Sequence, residues 1–333
     1  MRRYLQLAVG ISLSGFFLYL ALRGEDWTAI GAEFTGARYQ YLLPMVISGV
    51  YALYVRSQRW QLLLERATGT THAMGPIFSA SAIGFMASNI LPFRIGEVAR
   101  PYLVSRRTDI TMSTALATVV IERVLDLLVL FAFAAATVGL ADVPAVVRNL
   151  MWLAGAVALV AAGVTILLHL GRERLVPPLD RVWRKLPNSI GRRLIRLEHD
   201  FLDGISTIAE PLCFLKAVAW SFYIWVVIAL CFSFGFLATG LDIPFLGGGI
   251  AVTTLVALAV SIPSAPAFVG QFEWGCKLAL ESIFAVEGAR AVGYSILTHA
   301  TQFLTQVALG LVYLVREGLS FGDLGRIETG GRD

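Results

Sequence analysis

The chain has 333 residues, 57% of them hydrophobic and 15% charged, with a mean hydropathy of +0.71. Soluble domains carry about 25% charged residues, so this composition excludes an ordinary soluble enzyme and describes an all-α, polytopic membrane helix bundle in a single integral domain spanning 1–333. The net charge of +4 is spread over loops, with no basic patch interleaved with aromatics; that argues against nucleic acid and leaves anionic lipid as the simplest attraction.

A helix needs about 20 apolar residues to cross the hydrocarbon core. Met-Arg-Arg-Tyr followed by Leu5–Leu22 resembles a signal sequence, but the apolar run is long and lacks a small-x-small cleavage site, so a retained helix is expected. Tyr41–Leu63 is the second full span. Gly75–Leu91 is rich in Ser, Gly and Ala and ends at Pro92, which predicts a re-entrant or broken helix, tolerated at membrane depth inside protein or beside water. Full spans follow at Thr111–Leu140, Leu150–Leu170, Phe214–Leu237, Phe245–Ile262 and Ala291–Val315, making about seven. Pro266–Phe284 opens in a proline cluster and holds Gln271, Glu273 and Lys277; it is the second re-entrant or broken element.

Positive residues set the orientation. Arg2 and Arg3, the group Arg56, Arg59 and Arg66 placed after the second span, Arg94 to Arg107, and eight Lys/Arg between Gly171 and Cys213 all fall on one side if the N-terminus is cytoplasmic and Gly75–Leu91 does not cross. Residues 171–213 form a cytoplasmic amphipathic loop, in which Ile190, Leu194, Leu197, Phe201 and Ile205 share one helical face beside Arg192, Arg193 and Arg196. Such a helix lies in the interface or packs on the bundle. Residues 316–333 are a polar tail. Cys213, Cys231 and Cys276 have no metal-like spacing and read as packing residues; neither metal nor cofactor is expected.

Charges within an apolar chain are costly and are candidates for function. Arg94, Glu97 and Arg100, spaced by three, share a face if helical, and two guanidinium forks suit a phosphate or carboxylate. Arg100-Pro101 marks a break. Glu122, Arg123 and Asp126 stand near the start of the next helix, where Arg123 can pair with Asp126 and the two carboxylates either share a proton or neutralise Arg94 or Arg100. Pro263-Ser-Ala-Pro266 cannot be regular helix. Gly270 follows it, and Glu273 looks like the partner of a base, Lys277 at i+4. The spacing Pro92-x-x-x-Gly96-Glu97 has a counterpart in Pro266-x-x-x-Gly270-x-x-Glu273, which points to an inverted repeat around a binding site. His299 and Gln302, with Thr298, Thr301 and Thr305, read as interhelical hydrogen bonding, with a transport path as the alternative. No soluble-type catalytic motif is present.

Leu91-Pro-Phe-Arg-Ile-Gly-Glu-Val-Ala-Arg-Pro-Tyr-Leu103, Glu122-Arg-x-x-Asp126 and Pro263-Ser-Ala-Pro-Ala-Phe-Val-Gly-Gln-Phe-Glu273 together resemble the lysylphosphatidylglycerol synthetase transmembrane family, in its stand-alone form without the soluble synthetase domain. One departure is Ala267, where the family usually has glycine. The resemblance implies a flippase-like bundle that moves a membrane lipid between leaflets: a phospholipid, hopanoid, glycolipid or polyprenyl-linked species, with lipid-biosynthesis enzymes as further partners. Expected at the cytoplasmic (inner) membrane is therefore a transporter-like protein, not an enzyme, whose substrate-binding residues are Arg94, Glu97, Arg100, Glu122, Arg123, Asp126, Gly270 and Glu273. The alternatives are a membrane-embedded transferase on a polyprenyl-phosphate lipid, with Glu97 or Asp126 as base, and a non-transporting lipid-binding scaffold.

Overall fold

The computed structural model describes residues 2–91, 94–140, 142–205, 210–261 and 266–328. Its helices are α1 (Arg2–Leu22), α2 (Trp27–Gly36), α3 (Leu42–Thr68), α4 (Met74–Ile90), α5 (Gly96–Ser105), α6 (Met112–Leu140), α7 (Ala145–Leu170), α8 (Arg172–Trp183), α9 (Asn188–Ile205), α10 (Pro211–Thr239), α11 (Phe245–Ser261), α12 (Gln271–Phe284), α13 (Gly288–Arg316) and α14 (Phe321–Glu328). Among the described residues there is no strand. With 27 to 29 residues each, α3, α6, α10 and α13 rise about 40 Å, more than the hydrocarbon core requires. Among the described residues, α7 and α10 are long and uniformly apolar enough to cross on composition alone. In α3 and α6 the apolar run is interrupted by charges that the fold turns inward.

The distribution of side chains is the reverse of a soluble protein's. Arg59 is 0% exposed, whereas Val160 is 66% and Leu167 is 67% exposed. Such apolar surfaces mark contact with other apolar matter, a membrane above all. Asp26 starts α2 by accepting hydrogen bonds from the Thr28 hydroxyl and amide, which lower its carboxyl below the usual carboxylate value.

Long, short, short, long is the order of α3 to α6, and it recurs in α10 to α13. The counterpart helices α3 and α10 pack antiparallel: Met45 O accepts from Cys231 Sγ, Arg59 meets Ser221, and Leu63 packs on Ala217. Each long helix is followed by a helical hairpin, α4–α5 and α11–α12. Because α3 and α10 run in opposite directions, the hairpins start from opposite ends of the bundle. Their tips meet: the Arg94 guanidinium donates to Val260 O and lies 5.1 Å from the Phe268 ring centroid.

The described part of Phe245–Ile262 is α11, the first limb of the second hairpin. The break at Arg100-Pro101 is absent, since α5 runs through Pro101, held by Ala99, Leu103 and Val104 buried in its packing on α4. Pro92 and Pro263 lie outside the described residues. The broken element expected at Pro266–Phe284 opens as a 3₁₀ turn, Pro266–Phe268, followed by α12 at Gln271. The amphipathic segment is α9: Leu202 and Ile205 bury against Ala117 of α6, while Ile190 and Leu197 remain exposed. Thus α9 docks by one end and presents an apolar face at the other. All three cysteines are buried and free.

Candidate functional site

Close backbone contact makes the first hairpin possible. A Cβ on Gly96 would stand 1.7 Å from Gly84 O, and one on Gly84 would stand 2.2 Å from Arg100 Cγ. These glycines let α5 lie against α4 and let the Arg100 stem pass between them. The Arg100 guanidinium then stacks 4.3 Å from the Trp60 centroid and pairs with Glu122 at 3.1 Å.

At the centre stands Arg59. It donates to Asp126 at 2.6 Å, to Ser221 at 2.8 Å and to Glu122 at 3.2 Å. Trp225 also donates to Asp126, at 3.1 Å. Burying this many charges is tolerable when each is paired and hydrogen-bonded. Arg123 lies 3.5 Å from Asp126, and Arg56 lies 4.0 Å from it while resting over the Phe85 and Trp225 rings. Arg94, at φ +52, precedes α5 and faces Glu97 at 3.4 Å.

These groups border a cavity of about 490 Å³ between the two hairpins, walled by α3, α4, α6, α10, α11 and α13. Arg56, Arg94, Glu97, Arg100, Arg123 and Asp126 line it, and Arg59 and Glu122 lie behind. Five arginines against three carboxylates leave the cluster with two positive charges in excess. Asp126 falls at the middle of α6, so the charge sits halfway through the bundle and not near a helix start.

The second half supplies a different wall. Glu273 accepts from the Gly270 amide at 2.6 Å and meets His299 Nδ1 at 2.5 Å, and His299 stacks on Phe272. Gly270, at φ +89, packs so tightly on α1 that a Cβ would stand 2.3 Å from Ser14 O. Gln302, Thr305, Gln306 and Thr253 complete this wall, with Asn89 donating to Gln306 at 2.9 Å.

Of the eight residues singled out from sequence, five line the cavity: Arg94, Glu97, Arg100, Arg123 and Asp126. Glu122 braces it from behind; Gly270 and Glu273 hold the second tip and do not line it. The expected Arg123–Asp126 pair is present. Arg94, Glu97 and Arg100 do not form one helical face, because Arg94 precedes the helix and Arg100 turns to Glu122. Glu122 and Asp126 are bridged by Arg59, which removes the repulsion that a shared proton would have relieved. Nor does Glu273 pair with Lys277, which reaches Glu25 at 2.5 Å and Ala21 O at 3.0 Å. Arg56, Arg59, Trp60 and Trp225 escaped the sequence reading. Their signal was two arginines at i, i+3 inside the second predicted span, where charge is itself the clue.

Fold and site together define an all-helical membrane domain built around a basic cavity. The profile of the lysylphosphatidylglycerol synthase transmembrane region matches residues 7–310, and the chain belongs to that family. It is 25% identical over 302 residues to the glycosyltransferase AglD of Haloferax volcanii, an alignment covering 80% of this chain and 48% of the relative. The chain thus spans about half the length of that protein. No solved structure matches it. The family is that of a membrane domain.

Proposed function

We propose that this chain is a lipid translocase of the cytoplasmic membrane that shelters an anionic headgroup in the cavity between its hairpins while the acyl or prenyl tail stays in the bilayer. The observation that carries the proposal is the excess of arginine over carboxylate around a cavity halfway through the bundle. Resident cations without enough resident anions are favourable when an anion visits, and guanidinium forks match phosphate. Binding at mid-depth between two oppositely directed halves is the arrangement secondary transporters use for alternating access.

In this reading α1, α3, α6, α7, α10 and α13 cross the membrane, and the hairpins are re-entrant from opposite faces as an inverted repeat. α5 supports this, since its 10 residues rise about 15 Å, half of the hydrocarbon core. A cytoplasmic N-terminus then places the basic segment 171–213 inside. It also puts the chain after α13 inside, where Glu317 pairs with Arg107.

Transferase chemistry would need a carboxylate free to act as base. Asp126 accepts from Arg59 and Trp225 through Oδ1 and holds Oδ2 in an ion pair with Arg123, and Glu97 faces Arg94, which favours transport. The test is movement of a labelled anionic phospholipid between leaflets of liposomes holding the protein. Arg94→Gln is expected to slow it about tenfold, the worth of one charge-assisted bond, with the thermal midpoint nearly unchanged. Unchanged movement in that variant, or none in the wild type, would overturn the proposal.

A further inference from the structure

The basic end of the cavity accounts for a phosphate but leaves the opposite wall unexplained. That wall, from α11 and α13, contributes no lysine or arginine; it offers Thr253, His299, Gln302, Thr305 and Gln306. Thr253 is 1% exposed and its hydroxyl has no protein partner. Gln302 Nε2 is likewise buried without one. Asn89 donates to Gln306 Oε1, which keeps the Gln306 amide nitrogen out of that bond. Buried donors are rarely left unmade in a folded protein, because an unpaired one forfeits its solvation. Two such groups on one wall of the cavity indicate partners that come from a ligand.

We propose that the cavity selects a two-part headgroup, a lipid phosphodiester at the arginine end joined to a neutral polyhydroxyl group held by the amides and hydroxyls of the second half. The proposal rests on the translocase reading and narrows its substrate class. Hydroxyls both donate and accept, so they suit a wall that mixes amide N–H, threonine O–H and imidazole. The cavity, at about 490 Å³, is within the usual range for small-molecule sites.

The same geometry disfavours a headgroup bearing an ammonium, such as an aminoacylated one. An ammonium needs a carboxylate whose charge is not already met, and those around this cavity are ion-paired or held by an imidazole and an amide. Glu97 faces Arg94, Glu122 pairs with Arg59 and Arg100, Asp126 with Arg59 and Arg123, and Glu273 with His299 and the Gly270 amide. The surplus of positive charge repels a further cation.

Native mass spectrometry of lipids retained from an equimolar mixture tests this. The mixture holds phosphatidylglycerol, a polyprenyl-phosphate hexose, lysylphosphatidylglycerol, and phosphatidylethanol, which has the same phosphodiester without hydroxyls. The wild type is expected to retain one or both polyhydroxyl lipids about tenfold over the other two; which one identifies the source, phospholipid or polyprenyl. Gln302→Leu and Thr253→Val should each erase the advantage over phosphatidylethanol while anionic lipid is still retained, which shows a folded arginine end. Gln302→Glu should raise retention of the lysyl lipid. Equal retention of phosphatidylglycerol, the hexose lipid and phosphatidylethanol, preference for the lysyl lipid, or an advantage unchanged in Gln302→Leu would overturn the inference. Selective retention without movement in liposomes would leave the headgroup selectivity standing and remove the translocase reading.

Discussion

Counting from Met112, the first residue of α6, Arg123 and Asp126 are eleven and fourteen positions on; counting from Gly288, the first residue of α13, the same steps reach His299 and Gln302. Both helices have 29 residues, and both sets line one cavity. One half of the molecule therefore puts a fixed cation and its carboxylate where the other puts an imidazole and an amide. The hairpins differ in the same way. Arg94 sits at the first tip and Arg100 behind it, while the second tip is closed by the Glu273–His299 pair, with Phe268 facing Arg94. The difference teaches that two halves of like architecture present unlike walls to one cavity, one charged and one of amides and hydroxyls, as the proposed two-part headgroup requires.

The sharpest way to break this comparison is at Arg59. It is buried in the charged half, and α10 answers it with the neutral Ser221. Arg59→Met leaves Glu122 and Asp126 sharing fewer cations, and removing one partner of a buried charge network costs about 3–5 kcal/mol. We expect loss of a folded population, read as disappearance of the monodisperse species in detergent. A well-folded Arg59→Met protein would show that the remaining arginines suffice and that Arg59 is not the keystone of the charged half.

Next in size is Gly270, the counterpart of Gly96 at the exit of a hairpin tip. Gly96 admits the other limb of its own hairpin, whereas Gly270 admits α1 and adopts φ +89. Gly270→Ala combines left-handed strain with overpacking and should cost about 2–3 kcal/mol. Loss of α1 contacts should be visible as faster hydrogen exchange around Ser14 and Leu18. Protection unchanged there would mean that the tip moves and α1 does not.

Much of this architecture was legible in the sequence, for physical reasons that also explain the misses. Long apolar runs foretold the long helices, and Pro266 falls in the second hairpin turn because proline interrupts helix. The Gly96/Gly270 spacing marked two sites of close packing, each next to a hairpin tip. Arg59 was misplaced because positive residues near a span end ordinarily mark the cytoplasmic side; α3 instead continues to Thr68 and carries Arg56 and Arg59 well inside. The Glu273–Lys277 expectation failed because i, i+4 spacing permits an ion pair without compelling one, and His299, 26 residues away, offered a buried partner. Helical periodicity reports which residues share a face and says nothing of which distant helix meets it.

A smaller effect tests the two walls directly. Arg123→Gln removes a cation from the charged wall while Arg59 still holds Asp126, so the fold should survive and anionic lipid should bind about tenfold more weakly. His299→Gln, at the matching position of α13, should change that affinity by less than about threefold, because one side chain able to hydrogen-bond Glu273 is exchanged for another. Equilibrium binding of a fluorescent anionic lipid compares the pair. Equal losses would erase the proposed division between a phosphate wall and a neutral wall.

The smallest expected change lies in the second turn, at Ala267. This residue adopts φ +62 and Phe268 follows at φ +56, a left-handed region that a side chain enters at a cost of roughly 1–2 kcal/mol per residue. The first hairpin shows one such residue among those described at its tip, Arg94 at φ +52, and there the conformation delivers a guanidinium to Val260 O. Ala267 brings no comparable polar group. Glycine would remove the strain, while the more flexible unfolded chain would take back part of the gain. Ala267→Gly should therefore stabilise the protein by about 0.5–1 kcal/mol, raising the thermal midpoint slightly with lipid selectivity unchanged. If the variant is instead less stable, the methyl group must be contributing packing at the tip that outweighs its backbone strain. If it is more stable but moves lipid more slowly, the strained turn is part of how the second hairpin changes position, a use of stored strain known from functional loops.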